Sequence, residues 1–162
     1  MIKEQNMTPF RGVGDIKLLS KLEDVRAYLT SGKISYQMEV WPNKGCTPEV
    51  PWTILRVEGC LSLFFAKGLL WKIEAERGYE GSLPNGIRIG MKMTEAEEID
   101  KTLEFDDWNE DWSSKLGYWL VDSVETKEVE VLCIFIKELL DEDQFDTYAW
   151  ADSAKHAISV NQ

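Results

Sequence analysis

Residues 106–112 combine four acidic side chains with two tryptophans. Trp108 and Trp112 are four positions apart, a spacing that would place both on one face of a helix. Tryptophan surrounded by charge is typical of protein interfaces, where an aromatic anchor fills a pocket and a charged rim sets the register. The alternative is that both tryptophans pack against a sheet as core. The binding interpretation assigns six residues to a partner-binding surface: Asp106, Asp107, Trp108, Glu110, Asp111 and Trp112.

A second acidic patch lies near the C-terminus, and we assign it to the same surface: Asp141, Glu142, Asp143 and Asp146. Its spacing invites comparison with a calcium-binding EF-hand loop. That loop requires an oxygen ligand at its fifth position and glycine at its sixth, where this chain has Phe145 and Asp146. We therefore predict no metal site. A looser Mg²⁺ or Ca²⁺ site made of carboxylates is the alternative.

Catalytic side chains are scarce. The single histidine, His156, lies in a polar C-terminal tail, whereas a nucleophile–histidine pair needs a packed scaffold to hold the imidazole. The cysteines Cys46, Cys60 and Cys133 have neither zinc-ligand nor Cys-x-x-Cys spacing and are expected to be reduced thiols. Acids are too numerous to single out a catalytic pair. We predict no catalytic residue and no cofactor.

Charge divides the chain into two unlike parts. Residues 1–94 carry 13 Lys and Arg against 10 Asp and Glu, whereas residues 95–152 carry 4 against 19. So acidic a segment repels nucleic acid and anionic membranes, and it attracts basic proteins. The sequence thus predicts a basic protein partner and no nucleic acid. A solvated face that only aids solubility is the alternative.

Targeting signals are not found in the sequence. The first ten residues contain no apolar signal segment, and the longest apolar stretches, residues 61–66 and 131–136, are of strand length. We expect no membrane association and a cytoplasmic location.

The chain repeats a pattern of elements. Ile16-Lys17-Leu18 corresponds to residues 87–89. Gly86 directly precedes the second copy, and Gly14 precedes the first with Asp15 between them. Ser20 and Thr94 then each begin an S/T-x-x-E sequence that is typical of a capping box at a helix start. Apolar residues follow each cap at the same helical spacing. Residues 65–70 also resemble residues 135–140.

Alternating and apolar stretches predict the strands that hold these residues. The expected strands are residues 34–40 (half-buried), 53–57, 60–66, 69–74, 118–124 and 128–136, with a tight turn at Lys67-Gly68. Residues 139–150 fit either a strand or a helix. The predicted fold is α+β: two tandem strand–helix–antiparallel-strand repeats forming a largely antiparallel sheet with helices on one face. We divide it into residues 1–83, 84–150 and a tail, 151–162.

The segment Gly86-Ile87-Arg88-Ile89-Gly90-Met91, leading to Thr94, resembles the opening of repeat modules in two groups of proteins. These are immunity proteins of bacterial polymorphic toxin systems, including contact-dependent growth inhibition, and BamE-type lipoproteins of outer-membrane assembly. The first copy departs from the motif, with Leu19 in place of Gly-Met. The lipoprotein group requires a lipidated cysteine after a signal peptide, which we do not find.

The resemblance to immunity proteins implies a cytoplasmic inhibitor that binds a cognate basic toxin domain, often a nuclease, and covers its active site. The acidic half of the chain agrees with that function. The alternatives are an acidic adaptor, a nucleic-acid mimic, and an enzyme that uses carboxylates and a metal.

Overall fold

A computed structural model describes residues 1–152. His156 and residues 153–162 of the predicted tail lie outside the described residues. Within the described part the fold is α+β, as predicted, and is built around one large antiparallel sheet.

The first half begins with a 3-10 turn, Ile2–Glu4, and a small antiparallel sheet of β1 (Met7–Thr8), β2 (Gly12–Val13) and β3 (Ile16–Lys17). One helix and a four-stranded meander follow: α1 (Leu22–Ser31), β4 (Tyr36–Trp41), β5 (Trp52–Val57), β6 (Leu61–Ala66) and β7 (Leu69–Ala75).

The second half again consists of one helix and a four-stranded meander: α2 (Met93–Ile99), β8 (Glu104–Asp106), β9 (Asp111–Ser114), β10 (Tyr118–Asp122) and β11 (Val129–Phe135). A 3-10 turn, Lys137–Leu140, and α3 (Glu142–Thr147) come next. The segment that the sequence left undecided between strand and helix is therefore helical.

The two meanders join through their last strands. The sheet order is β4-β5-β6-β7-β11-β10-β9-β8, and all neighbours are antiparallel. β7 and β11 are thus the central pair, and β4 and β8 are the edges. This arrangement gives the sheet a pseudo-two-fold axis between β7 and β11.

Backbone hydrogen bonds show the same duplication at the helix starts. Leu70 N–H donates to Ser20 O in the first half, and Val129 N–H donates to Met91 O in the second. Equivalent residues are thus 71 positions apart before the helices and 59 apart in the hairpins. The predicted match of residues 65–70 with 135–140 was wrong, because the former make the β6–β7 hairpin and the latter leave β11 for a 3-10 turn.

The capping boxes were also wrong. The residues at the N-caps are Lys21 and Lys92, and neither side chain caps its helix. Both lysines form backbone bridges to a neighbouring hairpin, Lys21 to Leu69 and Lys92 to Glu128. Pairing to these hairpins therefore decides where the helices begin, in place of a hydroxyl cap.

The two faces of the sheet have different covers. On one, here called the helix face, Arg26 of α1 donates to Tyr36 of β4, and Ser114 of β9 donates to Asp100, just after α2. Both repeat helices lie on this face, as predicted, over the core residues Leu55, Leu63, Ile73, Leu120 and Ile134. On the other, here called the outer face, Trp52 donates to Tyr148 in the C-terminal segment, which covers the first half of the sheet.

β4 is less buried than its alternating pattern predicted. The structure places this strand at the sheet edge, where Tyr36 is partly buried and the next five residues are exposed. Alternation in the sequence shows which side chains share a face, but it does not show whether another element covers that face.

Candidate protein-binding cleft

A cleft of about 670 Å³ lies on the outer face, between the second half of the sheet and α3. Strand residues form its floor, the β8–β9 hairpin forms one side, and the C-terminal segment forms the other. Its lining residues are Glu74, Asp106, Asn109, Asp111, Ser113, Trp119, Val121, Val131, Cys133, Leu139, Glu142, Phe145 and Asp146.

Strand register explains why the floor residues meet. Trp119 of β10 lies opposite Cys133 of β11 and Ser113 of β9, and Cys133 lies opposite Glu74 of β7. Directly opposite residues of antiparallel strands point to the same face. One row of side chains therefore crosses the floor, from Glu74 to Ser113.

The cleft is acidic. Within residues 1–152, no Lys, Arg or His lines the cleft. Five carboxylates from three separate parts of the chain do: Glu74, Asp106, Asp111, Glu142 and Asp146. Within residues 1–152 only Glu74 has a salt bridge, with Lys72 Nζ 3.0 Å from Glu74 Oε1. The other four carboxylates are without a cationic partner there, so the cleft attracts positive charge.

Lys72 is itself fixed by aromatic rings. Its Nζ lies 4.1 Å from the ring centroid of Phe64 and 5.0 Å from that of Trp71, both on the covered half of the outer face. Cation–π attraction of this kind holds the ammonium group in place beside Glu74. Its position therefore leaves the acids at the far side of the cleft unneutralised.

The pKa values of the Asp106 and Asp111 carboxyl groups are shifted in opposite directions, although the two residues lie opposite each other on β8 and β9. Asp106 accepts hydrogen bonds from the backbone N–H groups of Asn109 and Trp108, which lower the pKa of its carboxyl group. Burial and, secondarily, the negative charge of Asp106 raise the pKa of Asp111. Asp111 is thus an anion that its own surroundings destabilise.

The apolar wall of the cleft is provided mainly by Trp119, Val121 and Val131. The Trp119 ring packs against Phe135, with ring centroids 4.9 Å apart. Opposite it, Phe145 of α3 contacts Trp71, with centroids 6.3 Å apart. A ligand in the cleft would therefore meet an aromatic surface beside the acids.

The structure divides the predicted partner-binding residues into three groups. Asp106, Asp111, Glu142 and Asp146 line the cleft, which brings the two predicted patches together. A second group lies outside the lining: Asp107, Trp108, Glu110, Trp112 and Asp143. Asp141 also lies outside it and forms the third group. Asp141 has a structural role, because its side chain accepts from Asp143 N–H and caps α3.

Trp108 and Trp112 do not lie on a helix, and that prediction was wrong. They belong to the β8–β9 hairpin, where Trp108 is 92% exposed at the turn and Trp112 lies on β9 opposite Leu120. Leu120 is a core residue of the helix face, so Trp112 points away from the cleft. Cross-strand pairing with β10 prevails here over the four-residue spacing.

Sequence reasoning missed Glu74, Trp119 and Phe145. Trp119 and Glu74 carried a usable signal, because alternation within their strands puts them on the face opposite the buried Leu120 and Ile73. For Phe145 the sequence contains no such signal, because its position depends on how the C-terminal segment folds back over the sheet.

A second polar cluster lies on the helix face around the buried Asp100. Its carboxylate accepts hydrogen bonds from Ser114, Tyr118 and Thr102. Burial alone would raise the pKa of Asp100, but these hydrogen bonds outweigh it and lower the pKa. Tyr118 also accepts from Asn85, and the pKa of Tyr118 is raised to about 12, mainly by burial and then by Asp100. The cluster joins the end of α2 to β9 and β10.

Within residues 1–152, no three His, Cys, Asp or Glu side chains are grouped so as to hold a metal ion. The described helices include none with the length and apolar character needed to cross a membrane. Comparisons with models of protein families, with curated proteins and with solved structures found no match.

Proposed function

We propose that this protein is a binding inhibitor of the immunity type, which takes a basic region of a cognate toxin domain, a nuclease for example, into the acidic cleft. One observation carries the proposal: acids of the β8–β9 hairpin and of α3, over thirty positions apart in the chain, converge on one cleft without a basic lining residue. A nuclease that grips phosphates presents a positive surface, which is complementary to this cleft.

The dimensions of the cleft suit a few inserted side chains. Its volume of about 670 Å³ is in the range of sites that enclose a small ligand. A lysine or arginine would pair with Asp111 or Asp146 and lie against Trp119, combining ion pairing with cation–π contact. The exposed Trp108 at the hairpin turn would extend the contact beyond the cleft.

Electrostatics would act mainly on the encounter. Long-range attraction raises the association rate and is screened by salt, whereas the aromatic contacts slow dissociation. An inhibitor needs both, since it must find its toxin quickly and stay bound.

The test is capture of the partner from the native lysate, at low and high salt, with two variants of equal charge. Asp111→Asn/Asp146→Asn removes two cleft acids, and Glu95→Gln/Glu97→Gln removes two exposed acids of α2. We expect wild type and the α2 variant to retain one stoichiometric basic protein at high salt, and the cleft variant to lose it. Inhibition of the captured protein's toxic or nuclease activity by the wild-type chain completes the test.

Three results would contradict the proposal. Equal loss of the partner in both variants would mean that only total charge matters, as for a nucleic-acid mimic. Several basic proteins that all dissociate at high salt would indicate an acidic adaptor. An eluate without any basic protein would also overturn it.

A further inference from the structure

β4 is an unprotected edge. Within residues 1–152 it pairs only with β5, and three of its apolar side chains are exposed: Met38 (49%), Val40 (56%) and Trp41 (41%). Proteins usually protect such an edge with lysine, proline or a short strand. β4 has six residues without lysine or proline, and its single acid, Glu39, is paired with Arg56 at 2.7 Å. The opposite edge, β8, has three residues, two of them acidic.

The backbone groups that β4 leaves unpaired can be assigned. Ser35 O accepts from Glu58 N–H at 3.0 Å, and the register makes these two residues direct partners. Hydrogen-bonded pairs alternate along antiparallel strands. Tyr36, Met38 and Val40 therefore point their N–H and C=O groups away from β5. Their side chains share the helix face with Leu55, so the same residues offer both free backbone groups and apolar surface.

We infer that β4 pairs antiparallel with β4 of a second copy of this chain, about a two-fold axis at Met38. In this register Met38 faces Met38 and Tyr36 faces Val40, with about six backbone hydrogen bonds. The side chains of Tyr36, Met38 and Val40 from both copies form one ladder on the helix face. On the outer face Gln37 lies opposite Glu39, an amide opposite a carboxylate.

Two neighbouring registers also keep the faces matched, and both are worse. An axis at Gln37 would oppose Val40 with Ile34, whose N–H already donates to Leu29 O at 2.9 Å. An axis at Glu39 would oppose Glu39 with Glu39, and like charges directly across a sheet destabilise it. It would also bring Tyr36 opposite Pro42, which has no N–H to donate. The residue pattern of β4 therefore selects the axis at Met38.

Charge distribution permits this dimer in spite of the net charge of −11. β4 belongs to the first half of the chain, where basic residues outnumber acids 13 to 10, and lies at the sheet edge farthest from β8. The acidic halves would lie at the two distant ends of the combined sheet. The two halves of the chain are already joined by the antiparallel pair β7–β11. The dimer would join two copies by an antiparallel strand pair of the same kind.

Sedimentation of the full chain over a concentration series tests the dimer. One strand pair buries less surface than a standard interface, so we expect a dissociation constant of roughly 10–500 µM. Met38→Pro removes an outward N–H that β5 does not use and should weaken the dimer at least about tenfold. Met38→Val keeps the N–H and should leave it unchanged.

A charge pair tests the register independently of proline. Met38→Lys and Met38→Glu should each be monomeric, because the axis brings like charges together, and a mixture of the two should form heterodimers. A wild-type chain that stays monomeric throughout the series overturns the inference. So do a dimer that Met38→Pro leaves intact and a Lys–Glu mixture that stays monomeric.

Discussion

Glu74 and Cys133 lie directly opposite each other on the central strands β7 and β11. They are 59 positions apart, the offset that relates the two hairpins, so each is the other's equivalent and the pseudo-two-fold axis passes between them. Both line the cleft. The equivalent positions of the two halves thus carry a carboxylate in one and a thiol in the other.

The halves differ most beside that axis. Lys72 of β7 corresponds to Val131 of β11 at the same offset. In the first half Lys72 neutralises Glu74 and is enclosed by aromatic rings. In the second half the corresponding Val131 supplies no cation, and the surrounding acids have no salt bridge within the described part of the chain. On the outer face, the first half is therefore closed and the second half is open.

Asp111→Asn should weaken partner binding and slightly stabilise the protein. The folded-state pKa of Asp111 is raised by burial and by Asp106, so its ionised form opposes folding above the ordinary carboxyl pKa. At pH 7 the Asp111→Asn variant should resist urea slightly more than wild type, and the gain should be small because solvent screens this partly exposed carboxylate. Loss of both stability and binding would show instead that Asp111 supports the fold.

Trp108→Ala should leave stability unchanged and reduce affinity for the partner. The ring is 92% exposed, so its removal should alter the free energy of unfolding by less than about 0.5 kcal/mol. As an interface anchor, Trp108 should contribute to binding, so its removal should make the free energy of binding less favourable by about 2–4 kcal/mol. Calorimetry with the captured partner measures this change. Trp112→Ala is the contrast, since Trp112 packs on Phe105 and donates to Asp122, and its loss should destabilise the fold. Unchanged affinity in the Trp108 variant would remove this residue from the interface.

Asp100→Asn should destabilise the protein at neutral pH and flatten its acid unfolding. The folded-state pKa of Asp100 is lowered, so its contribution is present above the unfolded-state pKa and is lost as the pH falls through the folded value. The Asp100 carboxylate accepts hydrogen bonds from three hydroxyl groups. Replacing it by an amide should lower the free energy of unfolding by about 1–3 kcal/mol at pH 7.

Urea unfolding at several pH values between 7 and 2 measures this effect. The stabilities of wild type and Asp100→Asn should converge below pH 3.8, the ordinary value for this carboxyl group. Asp107→Asn, at an exposed position, is the control. A constant difference between wild type and Asp100→Asn at all pH values would contradict a stabilising role of the ionised carboxylate.

A thiol reagent should modify one cysteine quickly in the native protein. Cys46 is exposed, whereas Cys60 and Cys133 are buried, and burial raises the pKa of both buried thiols. Spectrophotometric titration should show one fast thiol in buffer and three in denaturant, and Cys46→Ser should abolish the fast phase. Rapid modification of Cys133 would mean that the cleft floor opens in solution.

The sequence by itself determined the α+β class, the duplication and the central strands, because these depend on local patterns. Apolar runs and alternation identify β5, β6, β7, β10 and β11, and the repeated apolar–basic–apolar segment indicates that a helix follows in each half. It also identified four of the five cleft acids, as members of two separate patches. The helix starts were misplaced because hairpin pairing, a contact between distant residues, positions them.

Only the tertiary structure decided that the two acidic patches form one cleft. Asp106 and Asp146 meet because β11 pairs with β7 at the centre of the sheet and the C-terminal segment folds back over the first half. Pairing of β9 with β8 and β10 made residues 104–114 a hairpin, exposed Trp108 and turned Trp112 to the helix face. Local spacing specifies which side chains share a face of an element, whereas the meeting of two elements depends on the burial that their packing achieves.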